Sequence, residues 1–411
     1  MRTTVTGRDP SRGETIAVTI VDGRIARITP VDSADSADLA NSVGSHSADP
    51  GSADPGSAGP GSALLIPGLV DLQVNGFGGH DANADDVSPA TIRALTHALR
   101  ATGVTTYVPT LVTGAHERIA HALAQIADAR RRDPELRHAI PYVHLEGPHI
   151  SAEEGPRGVH DPEHIRPPSR AEFEAWQEAS GGLIGMVTLS PHYPDAPAYT
   201  SWLVERGVHV AVGHTHATPD QLTAVVDAGA RLCTHLGNGA HAVLPRHPNY
   251  LWTQLADHRL TAGFIADGHH LPDDTLTAMI RAKGLDRALL VSDAVSLAGM
   301  PPGRYDAPVG GTVDLTAEGR LSRSGTPYLA GAARGLADGV AQAARSAGLS
   351  LGDAVRLATE VPGRFVGGRG RMQVGATADL VRCEWAPGDA SLTIESVYVA
   401  GRCVSQRGGA H

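Results

Sequence analysis

Cysteine is scarce in this chain. The three cysteines, Cys233, Cys383 and Cys403, are widely spaced and odd in number. They make neither a disulfide framework nor a C-x-x-C metal site. That usage predicts a reducing, cytoplasmic setting. Long apolar runs are missing too. No stretch reaches the roughly 18–20 apolar residues of a membrane span, and residues 1–14 hold no apolar core of signal-peptide length. Excess positive charge is also absent: 34 Lys and Arg stand against 44 Asp and Glu, a net charge of −10. This argues against nucleic acid or an anionic membrane surface as the main partner. Lysine is nearly absent, with Arg, Ala and Gly in its place, a coding bias without functional signal.

What is present is a long alternation. The 411 residues are enough for one barrel plus a second module, and 41% apolar against 19% charged residues allows a large core. Eight stretches read as buried strands: Gly68–Asn75, Val104–Leu111, Ala139–Pro148, Gly182–Pro191, Val208–His214, Arg231–Asn238, Leu260–Gly268 and Ala288–Ala294. Helical patterns fall at Pro89–Ala101, Ala115–Arg131, Arg170–Glu178, Ala198–Arg206, Pro219–Ala228, Asp273–Lys283 and Ala330–Ala347. Pro or Ser/Thr/Asp often stands at their starts, as capping predicts. Eight strands with helical patterns between most of them predict an α/β fold, a (β/α)8 TIM-type barrel over residues 66–366.

The flanks differ. Residues 1–30 read as short β segments, with Asp22-Gly23 between apolar runs as a hairpin signal. Asp379–Trp385 and Leu392–Ala400 read as strands again. Segments 1–65 and 367–411 are therefore expected to build a small β-sandwich from both termini. Within the first, residues 33–63 repeat Ser, Ala, Asp, Gly and Pro with almost nothing to bury. Such composition predicts a flexible loop or linker.

Chemistry in such barrels sits at the C-terminal ends of the strands. His144-Leu-Glu146 ends the third, and alternation points both side chains into the barrel. A buried Glu must be paired or bound to a cation; alone, Glu146 reads more readily as half of a salt bridge than as a metal ligand. His214 and His216 end the fifth strand, and His235 and Asn238 the sixth. Glu146, His214 and His235 on one rim make an open site, three protein ligands with a position left over. Asp293 ends the eighth strand. It could take a proton from the water such an ion activates, or simply cap the next turn. His160, in the loop Gly155–His160, could donate to a polarised carbonyl or be an exposed loop histidine. Asp267 could be a cap, and of His269 and His270 at most one faces a substrate.

These residues resemble a family. Pro67–Gly79 is similar to the first-strand signature of the amidohydrolase superfamily. With His144–Pro148, Gly213-His214, Thr234–Asn238, Ile265–His270 and Val291–Ala294 it resembles the N-acetylglucosamine-6-phosphate deacetylase family. The resemblance implies Glu146, His214 and His235 as metal ligands and Asp293 as acid/base. It implies His160 beside the scissile amide. Asn238, Gly239, Arg246 and His270 would grip the sugar phosphate, with Arg246 reaching across a homodimer interface. Where many amidohydrolases carry His-x-His on strand one, this chain has Gln73 and Asn75, so one divalent metal per chain is expected, zinc first, with iron or cobalt compatible. The surroundings of Arg246, and the loop holding Glu153, depart from the family pattern.

The expected activity is removal of an acetyl group from N-acetylglucosamine 6-phosphate or a close N-acetyl amino-sugar phosphate, a small-molecule substrate. Two rivals stand beside it. One is the same hydrolysis of a non-phosphorylated N-acyl compound, with Arg246 paired locally to Asp257. The other is a non-catalytic binding protein of the same fold.

Overall fold

The computed structural model describes residues 2–31, 63–307, 311–326 and 328–408. The low-complexity stretch 33–63 lies outside them, apart from Ala63. The chain opens with β1 (Arg2–Asp9), β2 (Glu14–Val21), β3 (Arg24–Pro30) and β4 (Leu64–Pro67). The barrel begins at β5 (Leu69–Val74), followed by a two-residue hairpin, β6 (Gly76–Phe77) and β7 (His80–Asp81). Its other strands are β8 (Val104–Val112), β9 (Val143–Glu146), β10 (Ile184–Leu189), β11 (His209–Val212), β12 (Leu232–Cys233), β13 (Thr261–Ile265) and β14 (Ala288–Val291).

β5 and β8 to β14 pair in parallel, each with its neighbour in sequence. Parallel strands covered on both faces read as apolar runs, which is why Val104–Leu111 and Ala288–Val291 are legible. The ends of the sheet meet at the C-terminal rim: Asp293 N donates to Gln73 O at 2.9 Å and Asn75 N to Ala294 O at 2.8 Å. That closure sets Asp293 beside Gln73 and Asn75. Helices stand outside the barrel. Pro89–Ala101 and Pro219–Asp227 each begin with a reciprocal cap, Ser88 with Thr91 and Thr218 with Gln221.

The terminal strands join in one sheet of seven, in the order β20-β19-β18-β4-β1-β2-β3, where β18 is Leu380–Glu384, β19 Thr393–Val399 and β20 Arg402–Gln406. The sheet curls so that its two hairpin turns meet: Ala378 N donates to Gly23 O and Gly401 N to Ala378 O, both at 2.9 Å. Curled in this way it encloses its own core of Val5, Ile16, Val18, Ile20, Leu65 and Leu380. The sandwich expected from the termini is thus a single folded sheet.

After the last barrel strand, two features differ from the sequence reading. A three-stranded antiparallel sheet, β15 (Gly303–Ala307), β16 (Gly311–Leu315) and β17 (Leu321–Arg323), follows the last barrel strand. The helix expected from Ala330 starts at Leu336. Gly331 adopts φ +115°, and Ala330 and Ala333 pack with Val313, Leu315 and Leu321 instead.

Candidate metal centre and substrate cleft

Glu146 is the last residue of β9; His214 and His235 lie just past β11 and β12. All three are buried, and one ligand atom from each lies within 4.8 Å of the others. Glu146 Oε1 is 2.9 Å from His235 Nε2 and 3.2 Å from His214 Nε2; the two Nε2 atoms are 3.0 Å apart. Burial pushes the Glu146 carboxyl up, yet the hydrogen bonds and charge of His214 and His235 outweigh it and hold it well below the usual range. Burial lowers His235, but Glu146 raises it further, to about 9. A carboxylate and an imidazole that hold a proton this firmly offer a place an ion can take from it.

The supports fit an ion as well. His214 Nδ1 donates to Pro156 O at 2.7 Å, which fixes the tautomer and turns Nε2 inward. Gly239 packs so closely on the His214 ring that a Cβ there would lie 2.8 Å from Nδ1. Gln73 Nε2 donates to Glu146 Oε1 at 2.9 Å, and Asn75 Nδ2 to Asp293 Oδ1 at 2.8 Å. The two strand-one amides thus turn their N–H groups toward carboxylates and bring no further donor to the centre. Two imidazoles and one carboxylate make a donor set that fits a divalent metal ion.

Asp293 stands half-buried beside this centre. Burial, then the charge of Glu146, raises its carboxyl to about 6, so near neutral pH it can both accept and release a proton. His214, His235 and Asp293 have φ of +47°, +25° and +49°. Non-glycine residues rarely adopt these values, and such strain concentrates at functional sites.

The loop after β9 folds over the centre. Its His160 is buried, stacks edge-on against His214 at 4.4 Å and places Nδ1 2.8 Å from Thr113 Oγ1. Burial, then His214, lowers this imidazole to about 3, so it stays neutral. His144 also points inward, as alternation requires, but sits a layer below between Thr110 and Thr188.

The remaining expected residues divide. His270 Nδ1 bonds Asp267 Oδ2 at 2.7 Å, and Asp267 also caps the N–H groups of His269 and His270. His269 turns away to Glu318 O. His270 is near enough to Asp293 to pull the Asp293 carboxyl down against the effect of burial. Asn238 Nδ2 donates to His235 O at 3.3 Å. Arg246 is exposed and has no hydrogen-bond or ion-pair partner among the described residues. Asp257 pairs with Arg259 at 2.6 Å, so the local Arg246–Asp257 pair is not formed. Sequence reasoning missed Thr113 and Pro156 as supports. Thr113 directly follows a barrel strand, a signal that could have found it; a backbone carbonyl such as that of Pro156 leaves none.

Comparison with known proteins bears on the family. Residues 64–404 match the model of the Amidohydrolase family. The N-acetylgalactosamine-6-phosphate deacetylase of Shewanella sp. (strain ANA-3) is 31% identical over 342 residues, 83% of each chain. The N-acetylglucosamine-6-phosphate deacetylase of Bacillus subtilis (strain 168) is 29% identical over 324 residues, 78% of this chain and 80% of that one. Among solved structures, a mutant N-acetyl-D-glucosamine-6-phosphate deacetylase of Mycobacterium smegmatis, in complex with N-acetyl-D-glucosamine-6-phosphate, superposes with a TM-score of 0.81 at 29% identity over 98% of this chain and 99% of that one. The chain belongs to the amidohydrolase family, as a hydrolytic enzyme of the group that holds the N-acetylglucosamine- and N-acetylgalactosamine-6-phosphate deacetylases.

Proposed function

We propose that this enzyme removes the acetyl group from an N-acetylhexosamine 6-phosphate, N-acetylglucosamine 6-phosphate first, releasing acetate and the amino sugar. One divalent ion, assigned as zinc with Fe²⁺ and Co²⁺ compatible, belongs on Glu146, His214 and His235. When bound, such an ion activates water and polarises the amide carbonyl. The protein's own groups do the rest. Asp293, held by Asn75, takes the proton from the attacking water and later gives it to the departing amine. Neutral His160, oriented by Thr113, donates a hydrogen bond to the carbonyl oxygen as negative charge develops there. The observation that carries this reading is the convergence of Glu146, His214, His235 and Asp293 on one barrel rim.

Asn238, Gly239 and His270 line the sugar side, and Arg246 takes the phosphate through paired hydrogen bonds. Arg246 has no partner among the described residues of its own chain, and nearby Val243 and Trp252 are 87% and 57% exposed. This supports a homodimer in which Arg246 serves the neighbouring cleft. Three free cysteines support a cytoplasmic setting. The test is free-amine release from N-acetylglucosamine and N-acetylgalactosamine, each with and without 6-phosphate. The phosphorylated sugars should show the higher kcat/KM, and Arg246→Ala should erase most of that advantage. Equal rates, or a preference for neutral sugars, would move the assignment to a phosphate-free substrate.

A further inference from the structure

Two rim loops close on the His214 ring, and they are joined to each other. The loop after β9 brings Pro156 O to His214 Nδ1 at 2.7 Å, and a Cβ on its Gly158 would lie 3.5 Å from His214 Cε1. The loop after β12 sets Gly239 against the same ring. The join between the loops is tight. A Cβ on Gly155 would lie 2.8 Å from Ala240 O and 2.9 Å from His241 Cα. Beside this contact, Glu153 Oε2 meets His241 Nε2 at 2.9 Å. The other oxygen, Oε1, faces His216 Nε2 at 3.7 Å, beyond hydrogen-bond reach.

Both partners are anchored. Glu153 N donates to Ser151 Oγ at 3.1 Å, and Glu153 O accepts from Arg157 N at 2.9 Å. Glu153 thus opens the turn that presents Pro156. On the other side, His241 N donates to Tyr250 OH at 2.9 Å, and His241 Nδ1 lies 3.1 Å from the same oxygen. Tyr250 is buried and begins the helix Tyr250–Ala256. Its hydroxyl accepts from the backbone and can give its own hydrogen to Nδ1. The ring then carries its hydrogen on Nε2 and donates it to Glu153, and a carboxylate, which only accepts, demands the same tautomer. The bond therefore forms with a neutral ring.

We propose that Glu153 and His241 are positioning residues: their hydrogen bond latches the two loops together, and so holds Pro156 O on His214 and His160 over the centre. The proposal rests on the reading of His214 as a metal ligand. Glu153 is 53% exposed, and a pair so open to solvent adds little to overall stability. Its effect is local. With the latch open, the turn can lift Pro156 O away from His214 Nδ1. A metal-binding imidazole whose second nitrogen loses its acceptor holds its ion less tightly. The latch therefore acts on ion affinity more than on folding.

The test uses full-length protein stripped of metal. Zn²⁺ affinity is measured by competition against a chelator, and backbone amide exchange over residues 155–160 is followed in the metal-free protein. Glu153→Ala and His241→Ala should each weaken Zn²⁺ about 10-fold and speed exchange in that segment, while melting like wild type in chelator. The double variant should be no weaker than either single one, because both changes break the same bond. Glu153→Gln keeps an acceptor at the same reach and should restore most of the affinity, which a general loosening of the fold would not allow. Wild-type affinity and exchange in both alanine variants would overturn the latch. So would additive losses in the double variant, or a lower melting temperature with unchanged affinity, which would leave the pair a stabilising role alone. Glu146→Ala separates the latch from the barrel assignment, since it should lose the ion outright. If Glu146→Ala bound Zn²⁺ like wild type, the ligand assignment would fail and the latch with it.

Discussion

Gly239 offers a test of how tightly His214 is positioned. It adopts φ +56°, and an added Cβ would lie 2.8 Å from His214 Nδ1 and 3.0 Å from Cε1. Gly239→Ala therefore adds two costs. A left-handed non-glycine residue costs roughly 1–2 kcal/mol, and a methyl forced into a packed contact typically about 1–3 kcal/mol more. Gly207→Ala isolates the first cost, because Gly207 has φ +76° and nothing within 4 Å of its Cβ position. At roughly 2–4 °C per kcal/mol, Gly239→Ala should melt several degrees below Gly207→Ala. Moreover, if His214 yields rather than the loop, its hydrogen bond to Pro156 O breaks. Affinity for the barrel ion should then drop about 10–100-fold, whereas Gly207→Ala keeps wild-type affinity. Melting curves in chelator and competition against a zinc chelator read the two effects. Equal melting of the two variants, with unchanged affinity in both, would refute the packing argument.

Two further outcomes follow from buried partners. Burial raises the Asp71 carboxyl to about 7, against hydrogen bonds from Ser292 and Gln73. Its folded pKa thus lies above the unfolded ~3.9; the folded state binds this proton more tightly, and stability is lost as pH rises from about 4 to 7. Relative to Asp71→Asn, metal-free wild type should lose up to about 4 kcal/mol over that window, and parallel pH profiles in urea unfolding would contradict this. Thr113→Val removes the hydroxyl 2.8 Å from His160 Nδ1. It should cut kcat about 10-fold or more with metal content unchanged, and an unaltered kcat would remove His160 orientation from the account.

The barrel was legible because its strands are buried on both faces. Pro89–Ala101 and Asp273–Lys283 were legible to the residue, since apolar spacing and terminal residues agree there. β15 to β17 were not. They are short, largely exposed and rich in Gly, Arg, Asp and Thr, so neither alternation nor an apolar run marks them. The short helices Pro134–Ala139 and Tyr250–Ala256 are below the length at which periodicity speaks. In the candidate site, residue type at strand ends was enough to single out Glu146, His214 and His235, whose ligand atoms the fold brings together, and Asp293 beside them. What orients them was hidden, because Pro156 and His214 are 58 residues apart and Asn75 and Asp293 meet only through barrel closure. Gly239 lay in the expected set for another reason: the structure sets it against His214.

The central claim is that Asp293 moves protons beside an ion held by Glu146, His214 and His235. The most direct measurement takes wild type and Asp293→Asn, determines metal content in each sample, and follows amine release from N-acetylglucosamine 6-phosphate. The account predicts the same barrel-site metal in both and a kcat lower by ~10²–10⁴-fold in the variant. Wild-type kcat in a fully metallated Asp293→Asn sample would contradict it.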